Sequence, residues 1–162
     1  MGAFETVSAK IVSVQDCKDY ISGLKSEGKT AVFTNGCFDI LHLGHVTYLA
    51  KASELADVLI VGLNTDSSVK RIKGENRPLQ DEATRAHVLA SLQFVDRVVL
   101  FADDTPKELI DQLIPNFLVK GSDYSVENIV GADTVLKNGG AVKTIDLVFG
   151  YSTTNVIAKM DQ

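Results

Sequence analysis

At 162 residues, 45% hydrophobic and 23% charged, the chain has the length of one globular domain and enough apolar surface for a core without staples, which excludes disordered and collagen-like classes. Its net charge of −5 and pI near 5.1 give no general attraction for nucleic acid or an anionic membrane, so any polyanion must be gripped locally. The longest apolar run, Val58 to Leu63, is far short of the roughly 20 residues that cross a bilayer. Met1 to Lys10 has no apolar stretch behind a basic segment, and no Asn-x-Ser/Thr acceptor occurs, so a cytoplasmic chain with no membrane partner is expected. Cys17 and Cys37 are then expected as free thiols.

In chain order, Ser13 followed by Asp16 opens a predicted helix carrying Val14, Cys17, Ile21 and Leu24 on one face and ending near Gly28. Residues 1–28 thus form an N-terminal extension and helix packed on the core. A strand is predicted at Thr30 to Thr34, a loop at Asn35 to Gly44, and a helix from about His45 through Leu55. Asp57 to Asn64 reads as a buried strand, Asp81 to Gln93 as a helix and Val95 to Phe101 as the next strand. Thr105-Pro106-Lys107-Glu108 marks a helix start with proline at its first position and Glu108 capping back toward Thr105. A strand at Asn116 to Lys120, helical structure at Ser125 to Asn138, a strand at Ala141 to Val148 and a helix at Ser152 to Met160 complete the reading.

Five strands joined by helical crossovers predict an α/β fold. Its architecture is a single-domain, Rossmann-like, doubly wound five-stranded parallel sheet over residues 1–162, with helices on both faces. Ligands of such sheets bind beyond the carboxyl ends of the strands. The loops to search are therefore Asn35 to Gly44, Thr65 to Gln80, Gly121 to Tyr124 and Phe149 to Ser152.

Two pattern matches fail on context. Gly23 to Thr30 fits G-x-x-x-x-G-K-[ST], yet it leaves a helix and enters a strand, the reverse of a phosphate loop. Met1 to Thr6 matches a loose myristoylation pattern, taken as chance. No G-x-G-x-x-G follows a strand, so the phosphate turn of a nicotinamide or flavin enzyme is missing.

The informative segment is Thr34-Asn35-Gly36-Cys37-Phe38-Asp39-Ile40-Leu41-His42-Leu43-Gly44-His45. His42 and His45 bracket a glycine at a helix start, where unpaired amides and the helix dipole favour anions. Histidines so placed can donate to phosphate oxygens as charge builds in a transition state. The plainer alternative is that they cap or pack; a metal site lacks a third ligand pattern.

This segment resembles the H-x-G-H signature of the cytidylyltransferase-like nucleotidyltransferase superfamily, with Asn35-Gly36-Cys37-Phe38-Asp39 resembling its G-[TS]-F-D entry. From Lys10 to Met160 the chain is similar to the adenylyltransferase domain of D-glycero-β-D-manno-heptose 1-phosphate enzymes, including the runs Phe33 to His45, Lys120 to Tyr124 and Gly150 to Thr154. The resemblance implies transfer of AMP from ATP to a sugar 1-phosphate, with Mg²⁺ carried mainly on the ATP phosphates, no protein metal site, and a homodimer. It further implies His42 and His45 as catalytic residues, with Asn35, Gly36, Cys37, Phe38, Gly44, Lys120, Ser152, Thr153 and Thr154 binding nucleotide.

The chemistry needs local cations. Lys70, Arg71, Lys73 and Arg77 stand against one acid, Glu75, in the long loop after the second strand, placed as a mobile flap over phosphates would be; a solvated basic turn is the alternative. Lys70, Lys73 and Arg77, with Asp39, Asp66, Arg85 and Asp123, are the expected substrate- or phosphate-binding set. His87, mid-helix, has no assigned role, and Cys37 is read as a spacer. A cytidylyltransferase for glycerol 3-phosphate and a nucleotide-binding module without turnover remain open beside the adenylyltransferase reading. Nucleic-acid binding lacks an aromatic stacking series.

Overall fold

The computed structural model describes residues 2–160. Met1, at the head of the myristoylation-like pattern, and 161–162, the end of the expected domain, lie outside the described residues. In chain order the elements are α1 (Ala3–Ser8), β1 (Ile11–Val12), α2 (Val14–Ser26), β2 (Ala31–Gly36), α3 (Leu43–Ser53), β3 (Val58–Asn64), α4 (Asp66–Lys73) and α5 (Glu82–Ala90). Then follow β4 (Arg97–Phe101), α6 (Lys107–Leu113), β5 (Phe117–Gly121), a 3₁₀ turn (Val126–Asn128), α7 (Ala132–Lys137), β6 (Ala141–Ile145) and α8 (Thr153–Met160).

The sheet runs β1-β4-β3-β2-β5-β6, with every pairing parallel. It has six strands, which corrects the expected five. The added strand is only two residues long, and Ile11 and Val12 pair with Val98 and Val99 of β4. So short a segment has no periodicity to read.

The strands are buried on both faces, and alternate side chains serve different cores. Ala31, Phe33, Val58 and Ile60 join Cys17, Ile21 and Leu24 of α2, Leu109 and Ile110 of α6 and Val135 of α7. Val32, Leu59, Val61 and Leu63 join Tyr48 and Leu49 of α3 and Ala86 and Leu89 of α5. Helices therefore cover both faces, and each amphipathic helix is held by its own apolar stripe.

Local signals explain most helix starts. Ser13 accepts from the Asp16 amide at 3.1 Å and donates to its carboxylate at 2.7 Å, while Asp81 accepts from the Thr84 amide at 2.7 Å. At α6 the outcome differs from expectation: Pro106 occupies the N-cap and no side chain caps the helix. At the front, α1 rests on α5 through Phe4 stacked on His87 at 5.4 Å.

From β2 the chain winds outward through β3 to β4, and from β5 outward through β6 on the other side. The winding reverses between β2 and β5, so the loops at their carboxyl ends diverge and leave a crevice.

Candidate active site

A cleft of about 640 Å³ opens at this crevice. Its floor is the turn from β2 into α3. Phe38 sits there at φ 44°, in the left-handed region that side chains rarely adopt. Its ring folds back over Gly36, where a Cβ would stand 2.9 Å from that ring. The same ring meets His45 edge-on at 5.3 Å.

His42 is the N-cap of α3 but makes no side-chain cap. Its ring stacks on that of His45, centroids 3.8 Å apart and planes 21° off parallel. Gly44 permits this, because a Cβ there would lie 3.0 Å from the His42 ring and 3.2 Å from Cβ of Tyr151. The buried Nδ1 atoms of both histidines and Oδ1 of Asn35 have no hydrogen-bond partner among the described residues. Polar atoms left without a protein partner in a cleft are open to water or to a ligand. Burial, and then the adjoining His42, pushes His45 from 6.5 down to about 4; burial also lowers His42. Burial thus favours the neutral form of both rings in the free protein.

Tyr48 anchors α3 over the crevice. Its hydroxyl pairs with Thr34 Oγ1 at 2.8 Å and donates to the Val119 carbonyl at 3.0 Å, so one side chain ties α3 to β2 and β5 together. Across the same seam Lys120 Nζ donates to the Asn35 carbonyl at 3.1 Å. Burial lowers the Lys120 ammonium to about 8, with Asp123 offsetting part of the effect. At the far wall Ser152 caps α8, its Oγ accepting from the Asn155 amide at 3.1 Å.

The structure brings Asn35, Gly36, Cys37, Phe38, Asp39, His42, Gly44, His45, Lys73, Arg77, Lys120, Asp123, Ser152, Thr153 and Thr154 to this one cleft. Asp66, Lys70 and Arg85 do not line it. Lys70 is exposed on α4, an eight-residue helix capped by Thr65. That helix corrects the expectation of a long loop over 65–80, and only the stretch after Lys73 is loop. Arg71 on the same helix pairs with Asp104 at 2.7 Å.

Arg85 is 1% exposed and pairs with Asp66 at 2.7 Å, so neither is placed to meet a phosphate in the cleft. Asp39, 2% exposed, is also spent inward: its carboxylate accepts from Arg77 Nε at 2.7 Å and from the Leu79 and Gln80 amides at 2.9 Å. Burial by itself would raise this carboxyl, but the Gln80 and Leu79 amides and the Arg77 guanidinium outweigh it and hold it below its ordinary value.

Sequence reasoning missed Thr105 and Pro106, which line the cleft. Both lie in the loop after β4, at the carboxyl edge of the sheet, where the rule for ligand-binding loops applies as it does to the others. Tyr151, whose ring lies 6.4 Å from that of His42, carried no signal of its own.

A parallel sheet with paired histidines and lysines at its winding reversal defines an α/β protein with a cleft suited to an anionic ligand. The cytidylyltransferase-like family model matches residues 33–159, and the chain belongs to that family. It is 53% identical over 152 residues to the Bifunctional protein HldE of Syntrophotalea carbinolica, covering 94% of this chain and 31% of the relative. It is 52% identical over 159 residues to that of Rhodospirillum rubrum, covering 96% of this chain and 32% of the relative. The chain thus spans about a third of the length of these relatives. Among solved structures it is similar to the lipopolysaccharide core biosynthesis protein from Thermoplasma volcanium, with a TM-score of 0.59 and 31% identity, covering 75% of this chain and 98% of that one.

Proposed function

We propose that this chain transfers AMP from ATP to D-glycero-β-D-manno-heptose 1-phosphate, giving ADP-heptose and pyrophosphate. The observation that carries the reading is the stacked His42–His45 pair, its buried Nδ1 atoms unpartnered, in a cleft walled by Lys73, Arg77 and Lys120. Kinship with the HldE proteins and with a lipopolysaccharide core biosynthesis protein supports the reading.

An oxygen of the sugar phosphate forms a bond to the α-phosphorus of ATP as the bond from that phosphorus to the bridging oxygen breaks. The leaving group departs as pyrophosphate, and no enzyme group is covalently engaged. Catalysis is then positioning and charge neutralisation. His42 and His45 donate to phosphate oxygens, Lys73, Arg77 and Lys120 balance the charge, and the start of α8 adds free amides with the hydroxyls of Thr153 and Thr154.

Magnesium fits as an ion carried by phosphate and water. Asp123 offers a hard carboxylate oxygen on the wall, while no group of three or more His, Cys, Asp or Glu among the described residues forms a cage. When bound, the ion supplies further neutralisation of the triphosphate. A homodimer and a cytoplasmic setting belong to the same proposal; no helix among the described residues is long and apolar enough to cross a membrane.

Pyrophosphate release, measured from ATP and from CTP, each with heptose 1-phosphate and with glycerol 3-phosphate, tests the reading. Release confined to ATP with the heptose ester is expected. Release from CTP with glycerol 3-phosphate would replace the reading with a cytidylyltransferase, and ATP binding without release would replace it with a binding module.

A further inference from the structure

The cleft rests on a buried cation that never reaches it. Arg85 spends its guanidinium on four chain segments: Nε donates to the Gln80 carbonyl at 2.9 Å, Nη1 to the Cys37 and Asn64 carbonyls at 2.8 Å each, and Nη2 to the Asp66 carboxylate at 2.7 Å. These are the turn after β2, the end of β3, the start of α4 and the residue before the cap of α5. All gather at the carboxyl edge of the sheet.

Burying a charge for stability alone is poor use of it, because an apolar side chain of similar volume does as well or better. A planar fork with fixed donor directions instead fixes the relative placement of its acceptors. Two of those acceptors belong to segments that Asp39 also joins, since Asp39 follows Cys37 by two residues and binds the Leu79 and Gln80 amides and Arg77 Nε. Arg85 and Asp39 thus close a ring of hydrogen bonds between the turn at 37–39 and the segment at 77–80. The first carries Phe38, at φ 44° with its ring against His45; the second carries Arg77 into the cleft wall.

We infer that Arg85 is a positioning residue for the transfer: it meets no substrate, and it sets the aim of His45 and Arg77 by holding these two segments in register. The inference rests on the proposed nucleotidyl transfer for its kinetic consequence, but its structural half is measurable without turnover. Cys37, half-buried beside the Arg85 contact, reports whether the turn is held, and fully buried Cys17 serves as an internal control.

The test uses Arg85→Met, which keeps volume without donors, and Arg85→Lys, which keeps charge without the fork. In each, thermal unfolding, kcat and KM for ATP, and the rate of Cys37 modification by 5,5′-dithiobis(2-nitrobenzoate) are measured. Both variants are expected to unfold cooperatively, with kcat lowered by about tenfold or more, KM changed less than about threefold, and Cys37 modified about tenfold faster while Cys17 stays protected. In an Arg77→Ala background the loss from Arg85→Met is expected to shrink, because the two act through one geometry.

A folded Arg85→Met with unchanged kcat and unchanged Cys37 reactivity overturns the inference. So does a selective rise in KM, which would make Arg85 a substrate contact, or failure of both variants to fold, which would make it a stability residue only. If the unaltered protein releases no pyrophosphate, the proposed function fails while Cys37 reactivity still decides the role of Arg85.

Discussion

His45 lies where three physical effects meet: a helix N-terminus that favours anions, a stacked imidazole at 3.8 Å, and burial that keeps the ring neutral. Bound triphosphate reverses the balance, since adjacent negative charge favours the protonated, donating form. His45→Ala is expected to lower kcat by on the order of 10²–10³ with little change in fold, as removal of a donor aimed at developing charge does; steady-state pyrophosphate release measures it. Lys120 supplies a pH dependence of opposite origin. Its ammonium, lowered to about 8, is charged below that pH and loses its proton above it. In the free enzyme kcat/KM for ATP should therefore fall as pH rises through about 8, and Lys120→Arg, charged throughout, should abolish that limb. A limb that persists in the arginine variant assigns the titration to another group.

At the scale of elements, the start of α3 shows function and stability pulling apart. Gly44 weakens a helix where alanine would be favoured by about 1 kcal/mol, yet a Cβ there crowds the His42 ring at 3.0 Å and Tyr151 at 3.2 Å. Gly44→Ala should leave the thermal midpoint unchanged or raised while kcat falls by about tenfold or more, because the ring must tilt off its stack. Calorimetry alongside turnover checks both halves. The anchoring of the same helix is testable at Tyr48, whose hydroxyl ties α3 to β2 and β5. Tyr48→Phe leaves the Val119 carbonyl without this donor and should cost about 1–3 kcal/mol in denaturant unfolding.

Across the whole molecule, two apolar cores flank one sheet, and the cleft stands at its edge where the winding reverses. Leu118 of β5 is fully buried in the core that includes α2, α6 and α7, one residue from the Val119 carbonyl that receives Tyr48. Leu118→Ala should cost about 2–5 kcal/mol through transfer and cavity terms. Measured by urea titration, this loss should come with a nearly unchanged KM at permissive temperature, since Leu118 does not line the cleft.

Periodicity and end signals are local, so the amino-acid sequence alone determined five of the six strands, the capped start of α2, the helix that begins at Asp81, and the paired histidines at a strand-to-helix turn. That the loops at the carboxyl ends of β2 and β5 share one crevice follows from the strand order β4-β3-β2-β5, which the handedness of the crossovers alone does not set. The amino-acid sequence by itself misread 65–80 as one loop, since α4 is short and mostly polar and carries only Val69 and Ile72 as apolar residues, too few to stand out as a helical stripe. Only the tertiary structure decided which charges face the ligand. Asp39 and Arg77 are 38 residues apart, and Arg85 and Cys37 are 48 apart; such partners leave no trace in local spacing. A cation bound for phosphate and one bound for buried carbonyls are the same letter until folding chooses their neighbours; folding gave Asp39, at the cleft wall, the partner Arg77, and gave Arg85, outside the cleft, the carbonyls of Cys37, Asn64 and Gln80.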